Sequence, residues 1–456
     1  MVSGNSEIVK SKSRSVLVYN PISGHGHLDS WLEIFVQILI EQKFCVFVLT
    51  PDPDELHQKI VQKGQNKCFH ILPWDCVRFR KPFLRHFRDW WVQFGGRYFY
   101  GREGSVITPE MPFLIRVKKT IYRMLIPSMF VISKKLWKLI RKNHAKSDVS
   151  EDTGLDPVEM GLRIKDGLKK LKDQPEFLFV MYMDMYQIGI EPWNQFASIC
   201  KLPWGGIRFV PNASPVEGYY SLANLRGMCF LDEKVSRSYS KLIPHKIFPF
   251  IPDITNSDLT SEPPDLLKKI LEKAKGRKIV FLGGSIGGQK NIARWVDVIS
   301  ISDPEKWFFV QVGEIHANTF TREDTEAFQR LCLSCRENVY ILKQFIKNEA
   351  DFNSLIKASD ILYAVYRDFR ISSNMLGKSA FFEVPILVSD KFLMGERVRN
   401  YGIGLAVNEN DSVDILKGME QLIQAPVHSE RFQSYRNDFS VEKLWSNIAS
   451  LFRQSE

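Results

Sequence analysis

Three short clusters hold the residues of this chain that are best suited to chemistry. The first is Ser23-Gly24-His25-Gly26-His27, which ends the apolar run Ser15–Tyr19 and leads at once into a helix-like segment. Glycine at positions 24 and 26 lets the backbone turn sharply and come close to a ligand. His27, on the rim of that turn, is of a residue type suited to moving a proton near neutral pH. The second cluster is FLGGSIGGQKN, residues 281–291, with four glycines and a serine ahead of Lys290. It fits neither G-x-x-x-x-G-K-[ST] nor a strict G-x-G-x-x-G. Its composition still suits a diphosphate: close approach at Gly284, amide and hydroxyl donors at Ser285, and charge at Lys290. The third is DFRISSNMLGKSAFF, residues 368–382. There Ser372, Ser373 and Asn374 are placed to cap a helix whose first N–H groups lack intrahelical partners. Arg370 and Lys378, eight apart, flank that turn with positive charge. A tight turn or an ordinary N-cap accounts for any one cluster alone. Three of them, each at the end of an apolar run, point to a site.

The elements that must position these clusters are short apolar strands alternating with helices. Ser15–Tyr19, a helix over 28–42 and the strand 44–50 make a βαβ unit, and further strands are expected at 68–72, 177–181 and 206–210. Uniformly apolar strands of this kind belong to parallel sheets covered on both faces. After the proline-marked stretch IPHKIFPFIPDITNSDLTSEPPD the alternation restarts. It predicts strands at 278–282, 307–312, 339–342, 361–364 and 385–388, with helices at 291–300, 351–358 and 375–382. Two doubly wound α/β domains follow, joined near residues 244–264, and ligands of such sheets bind outside the carboxyl ends of the strands.

A length of 456 residues requires at least two cores. No apolar h-region precedes the first strand, and no run reaches the ~18 apolar residues of a membrane span. Seven scattered cysteines fit a reducing compartment. Cys332 and Cys335 form a lone C-x-x-C without the second ligand pair that zinc requires. The charge is uneven. Residues 77–147 hold 17 Lys and Arg against Asp89, Glu103 and Glu110, so this segment carries +14 in a chain of net charge +10, which leaves −4 elsewhere. Its second half places Met129, Ile132, Leu136, Leu139 and Ile140 on one helical face and Lys134, Lys135, Lys138, Arg141 and Lys142 towards the other. Trp90, Trp91, Tyr98, Phe99 and Tyr100 precede it. Such a composition suits an interfacial helix on anionic lipid. A core-packed helix with a solvated basic face, or a nucleic-acid surface, would share the pattern.

The order of elements resembles the GT-B glycosyltransferases. VLVYNPISGHGHLDSWLEIFVQILIEQKFCVFVLT is similar to their first βαβ unit, and LKQFIKNEADFNSLIKASDILYAVYRDFRISSNMLGKSAFFEVPILVSD to their donor-binding region. GIGLAVNENDSVDILKGMEQLI is similar to the sequel of that region, and VEKLWSNIASLF resembles the C-terminal helix that crosses back to the first domain. The resemblance implies two facing Rossmann-like domains with parallel sheets. Residues 1–250 would bind the acceptor, residues 251–430 a nucleotide-sugar, and residues 431–456 would form the crossing helix. It implies transfer of a hexose-like sugar from a nucleotide diphosphate to an acceptor hydroxyl, with neither metal nor other cofactor. Gly284, Ser285, Lys290, Arg370, Ser372, Ser373, Asn374 and Lys378 would hold the donor, and Gly24, His25 and Gly26 would form the acceptor-side loop.

Where the retaining branch carries two glutamates eight apart, this chain has Arg370 and Lys378. Gly284 stands near the position of that branch's arginine, and Lys290 at its lysine. The pair Gly26-His27 resembles inverting members, and GGSIGG the lipid-linked N-acetylglucosaminyltransferase of peptidoglycan synthesis. His27 would be the base in an inverting reaction or a donor contact in a retaining one. Asp29 reads as a helix N-cap, while Asp184 and Glu191 would orient an acceptor. Several lipid-glycosylating members carry a basic patch in the first domain. The segment 77–147 is therefore expected to contact an anionic membrane or lipid acceptor through Trp90, Trp91, Lys134, Lys135, Lys138, Arg141 and Lys142. No nucleic-acid partner is expected, and the location is cytoplasmic, peripheral to a membrane. A catalytically silent partner subunit and a nucleotide-sugar epimerase of the same fold remain as alternatives.

Overall fold

The computed structural model describes residues 14–22, 27–62, 68–72, 74, 155–169, 171–186, 189–210 and 218–453. The first six strands are β1 (Ser15–Tyr19), β2 (Cys45–Leu49), β3 (Phe69–Leu72), β4 (Phe177–Val180), β5 (Trp204–Arg208) and β6 (Leu225–Phe230). They form one sheet in the order β3-β2-β1-β4-β5-β6, with every pairing parallel. The next six are β7 (Lys278–Gly283), β8 (Trp307–Val312), β9 (Val339–Leu342), β10 (Ile361–Ala364), β11 (Ile386–Ser389) and β12 (Gly404–Val407). They make a second parallel sheet in the order β12-β11-β10-β7-β8-β9. Counted from its own first strand, each sheet has the same winding. Strands β1, β4, β10 and β11 are buried along their whole length, as apolar runs covered on both faces must be.

Around the first sheet lie α1 (His27–Glu41), α2 (Pro53–Gln62), α3 (Pro157–Leu168), α4 (Ile190–Ile199) and α5 (Glu233–Leu242). Around the second lie α6 (Asp265–Ala274), α7 (Ile292–Ile301), α8 (Arg322–Leu333), α9 (Glu349–Lys357), α10 (Asn374–Phe382), α11 (Phe392–Tyr401), α12 (Ser412–Gln424) and α13 (Ser429–Asp438). Each half has its own core. Trp193 and Trp204 stack at 5.3 Å in the first, and Trp295 meets Tyr363 edge-on at 4.7 Å in the second. The connector pairs with the edge of β6 through the bridges Gly227–Ile247 and Phe230–Phe250. Two strands absent from the sequence expectation, β6 and β12, complete the sheets. The fifth strand starts at Trp204 rather than 206, directly after Pro203.

The winding order reverses between β1 and β4 and again between β7 and β10. Loops leaving those strands flank the crevice in which a doubly wound sheet takes its ligand. All three clusters singled out in the sequence leave β1, β7 or β10.

The chain crosses back at its end. Helix α14 (Val441–Ile448) and the turn Ala449–Phe452 send Leu444, Ile448, Leu451 and Phe452 into the core of the first sheet. Phe452 lies 5.1 Å from Phe177, 5.4 Å from Phe179 and 5.8 Å from Phe44, ring to ring. Helix α13, in contrast, stays with the second half, where Arg436 donates to the Ala380 carbonyl at 2.6 Å. Among the described residues no helix is long and apolar enough to cross a membrane. Because Phe452 fills the first core from the far end of the chain, Phe452→Ala is expected to cost about 3–5 kcal/mol in urea unfolding.

Candidate active site

The glycine-rich loop after β7 is held on one side by the next loop of the sheet. Gly284, at φ +90°, takes a conformation that L side chains rarely adopt, and this turns the chain out of the strand. Beyond it Ile286 N donates to the Glu314 carbonyl at 2.9 Å, and His316 N to the Ile286 carbonyl at 2.9 Å. Gly288 N donates to Thr319 Oγ1 at 2.9 Å. Ser285 is left exposed at the tip. Lys290 turns towards the loop after β10. Its Nζ donates to the Tyr366 hydroxyl at 2.6 Å and lies 4.0 Å from that ring's centroid. Arg367 N donates to the Gln289 carbonyl at 2.9 Å, so the two switch-point loops are bound to each other directly.

Beneath them sits a carboxylate that the sequence disguises. Asp324 completes a capping box with Thr321 at the start of α8. Its fully buried side chain also accepts from Ala293 N at 2.9 Å and takes Arg367 in a two-bond fork, at 2.8 and 2.9 Å. Burial opposes its ionisation, but the hydrogen bonds from Arg367, Ala293 and Thr321 outweigh burial and hold its pKa down to about 2. Arg367 also donates to Asn291 Oδ1 at 3.0 Å, and Asn291 Nδ2 to the Glu409 carbonyl at 2.7 Å. The buried Glu409 carboxylate then accepts from Ser389 Oγ, from Lys391 Nζ at 3.2 Å and from Asp368 N at 3.4 Å. Loops after β7, β10, β11 and β12 are thus tied into one frame. Asn291 ends the second cluster but carried no assigned role, and Asp324, Arg367 and Glu409 lie outside all three clusters. Thr-x-x-Asp reads as a routine helix start, and the other three carry no periodic or spacing signal.

At the third cluster the structure divides the expected residues. Ser373 caps α10, accepting from Met375 N, and Asn374 is the first helical residue. Arg370 is exposed, with its guanidinium 5.0 Å from the Phe392 ring, and among the described residues it forms no ion pair. Ser372 and Lys378 turn towards the connector instead. Ser372 Oγ donates to Asp253 Oδ2 at 2.7 Å. Lys378, 2% exposed, gives its ammonium to Glu349 and Asn353 at 2.5 Å each and to the Asn256 carbonyl at 3.3 Å. Burial lowers its pKa and Glu349 opposes that shift. A cation so engaged is not on the open side of the loop, which corrects the expectation that Lys378 lies beside the diphosphate.

In the first half, β1 ends at Tyr19, and the next residue, Asn20, donates from Nδ2 to Thr50 Oγ1 at 3.2 Å. His27 is the first residue of α1. Its side chain, that of Asp29, and all of Gly24, His25 and Gly26 lie outside the described residues. So do Trp90, Trp91, Lys134, Lys135, Lys138, Arg141 and Lys142. Asp184 follows β4 at the switch point, where its carboxylate accepts from Phe209 N and Val210 N, both at 2.8 Å. It thus braces the loop after β5, although an acceptor-orienting role was expected of it. Glu191 lies in the first turn of α4 and is exposed. No group of three or more His, Cys, Asp or Glu converges among the described residues.

No family model matches the sequence, and no curated protein is similar to it. Solved structures are similar in fold. The N-terminal domain of trehalose-6-phosphate phosphatase from Candida albicans is 13% identical at a TM-score of 0.54, over 97% of this chain and 95% of that one. A glycosyltransferase from Rickettsia africae is 11% identical at 0.56, over 97% and 98%. HepE from Anabaena, solved with UDP and glucose, is 12% identical at 0.56, over 95% and 98%. The architecture is therefore GT-B, with two Rossmann-like halves and a crossing C-terminal helix.

The Asp324 carboxylate ionises more readily in the folded chain than at its ordinary value of ~3.9, so its contribution is complete at neutral pH. That contribution, about 2 kcal/mol, is lost as pH falls from about 4 to about 2. Asp324→Asn should cost about 3–5 kcal/mol at pH 7, because it leaves Arg367 without its partner. Urea midpoints compared at pH 7 and pH 3 should also show a shallower acid dependence in the variant.

Proposed function

We propose that the chain is a glycosyltransferase that moves a sugar from a nucleotide-diphosphate donor to an acceptor hydroxyl at a membrane surface or on a lipid. The observation that carries this reading is the second half's switch point. Lys290, the exposed Arg370, the Ser285 tip and the N-terminus of α10 gather on two loops that are bound to each other. Cleavage of the bond between the anomeric carbon and the diphosphate oxygen leaves negative charge on the departing nucleotide. Cations and helix N-termini are suited to hold that charge. Two fold neighbours support the choice of donor: HepE was solved with UDP and glucose, and an Escherichia coli trehalose-6-phosphate structure with UDP-2-fluoro-glucose.

His27, at the head of α1 in the opposite half, would take the proton of the acceptor hydroxyl as its oxygen bonds to the anomeric carbon. The acceptor class rests on charge. A segment of +14 with interleaved aromatics, in a chain otherwise at −4, is suited to an anionic lipid surface.

Nucleoside diphosphates and nucleotide-sugars are expected to raise the melting temperature, since a ligand bound only by the native state stabilises it. Lys290→Ala and Arg370→Ala should each weaken nucleoside diphosphate binding by about 1–3 kcal/mol in calorimetry. His27→Ala should lower turnover by roughly 10²–10⁴ with donor affinity little changed. Binding without any transfer or hydrolysis would favour a silent subunit, and donor conversion without an acceptor would favour an epimerase.

Sedimentation with liposomes tests the surface. Binding should rise with anionic lipid and fall in high salt without vanishing, at about 1 kcal/mol per basic residue near the surface. Changing Lys134, Lys135, Lys138, Arg141 and Lys142 to glutamine should remove most of it. Wild-type protein indifferent to anionic vesicles at low salt would turn the search to soluble acceptors.

A further inference from the structure

Arg397, on α11 and only 2% exposed, touches both halves of the molecule and the connector between them. One arm of its guanidinium donates to Ser372 Oγ at 2.8 Å, in the loop that precedes α10. The other donates to the Leu231 carbonyl, at the end of β6 in the first half, and reaches Glu233 at 3.4 Å. Its Cζ lies 4.6 Å from the centroid of the Phe439 ring and 5.8 Å from that of Phe250. Ser372 Oγ in turn donates a hydrogen bond to Asp253 Oδ2 of the connector. A continuous path therefore runs from Leu231 through Arg397 and Ser372 to Asp253, and Ser372 immediately precedes Ser373, the cap of α10. A second fastening lies one turn further along α10. Lys378 and Asn353 both bind the Asn256 carbonyl, and Asn353 also binds that of Asp258.

We propose that Arg397 is a positioning residue for the loop at 370–374: it sets that loop by reference to the end of β6, so the first half of the molecule governs how the second half presents the loop. Arginine suits this task because its donors stand on separate atoms of a rigid plane and hold two distant acceptors in fixed directions, whereas a lysine's donors share one atom. That the loop receives a nucleotide rests on the function proposed above. The positioning itself does not.

The test is hydrogen exchange of ligand-free protein, read at the amides of residues 371–376, with nucleoside diphosphate affinity measured alongside. Arg397→Lys keeps the charge and loses the fork. Ser372→Ala cuts the same path without touching the first half, and serves should Arg397→Lys fold poorly. Each is expected to raise exchange of those amides about tenfold, as loss of one hydrogen bond near 1.4 kcal/mol would. The double variant should be no worse than Arg397→Lys alone. Lys234→Gln is the control. It removes the exposed ion pair to Glu396, which joins α5 and α11 without reaching Ser372, and should leave the loop within about twofold of wild type. A melting temperature that falls while exchange at 371–376 stays unchanged would overturn the proposal, as would additive effects in the double variant. If exchange responds as expected and the wild type binds no nucleoside diphosphate, the positioning stands and the donor reading falls.

Discussion

The two-bond fork between Arg367 and Asp324 is the contact on which the second half's site depends. A carboxylate with no solvent exposure is costly to bury unless it is fully bonded. Here it accepts from Arg367 twice, from Ala293 N and from Thr321. Those donors belong to the start of α7, the start of α8 and the loop after β10, so satisfying one charge fixes three segments at once. Asn291 and Glu409 extend the same frame to the loops after β11 and β12. Lys290 and Ser285 can then stand on a loop whose backbone is already committed, with less ordering left to be done when a ligand arrives.

The first half is organised differently. Its switch point is lined by Asn20, Asp184 and the start of α1, and the described polar groups there mostly brace backbone. Asp184 holds the loop after β5, and buried Arg208 donates to the carbonyls of Val210 and Met183 and to the Tyr219 hydroxyl. The two halves are joined by the connector, by Arg397 and by the crossing of α14. Phe452 packs on Phe177 and Phe179 of β4, and Leu451 lies beside Gly205 of β5 and Gly227 of β6, while Arg226 donates to the Leu451 carbonyl. Stability of the first half therefore depends on residues more than 200 positions away from its strands.

Much of this was legible in the sequence because buried parallel strands are short, continuous and apolar. The runs at 15–19, 278–282 and 361–364 could be read directly, and so could the three polar clusters that end them. Strand β6 was missed because LRGMCF carries a charge and a glycine. Arg226 reaches out to the crossing turn, and Gly227 is required because a Cβ there would lie 1.8 Å from the Ile247 carbonyl. Edge strand β12, GLAV, is too short and too close to a polar loop to announce itself. The site residues divide by a different rule. Lys290 and Arg370 stand out in the sequence because charge beside glycine or a cap is visible locally. Arg367, Asp324 and Glu409 do not, because what makes them matter is contact between segments distant in sequence, such as the 43 residues that separate Arg367 from Asp324. Lys378 was misplaced for the same reason: its charge is visible in sequence, whereas its burial against Glu349 and Asn353 is not.

The central claim is that a nucleotide diphosphate sits at the switch point of the second sheet. Photoaffinity labelling with an azido analogue of a UDP-sugar, followed by peptide mapping, tests it most directly. The account predicts label in peptides containing residues 284–291, 366–374 or 389–411, removed by an excess of UDP. Label confined to the first half, or label that UDP does not displace, would contradict it.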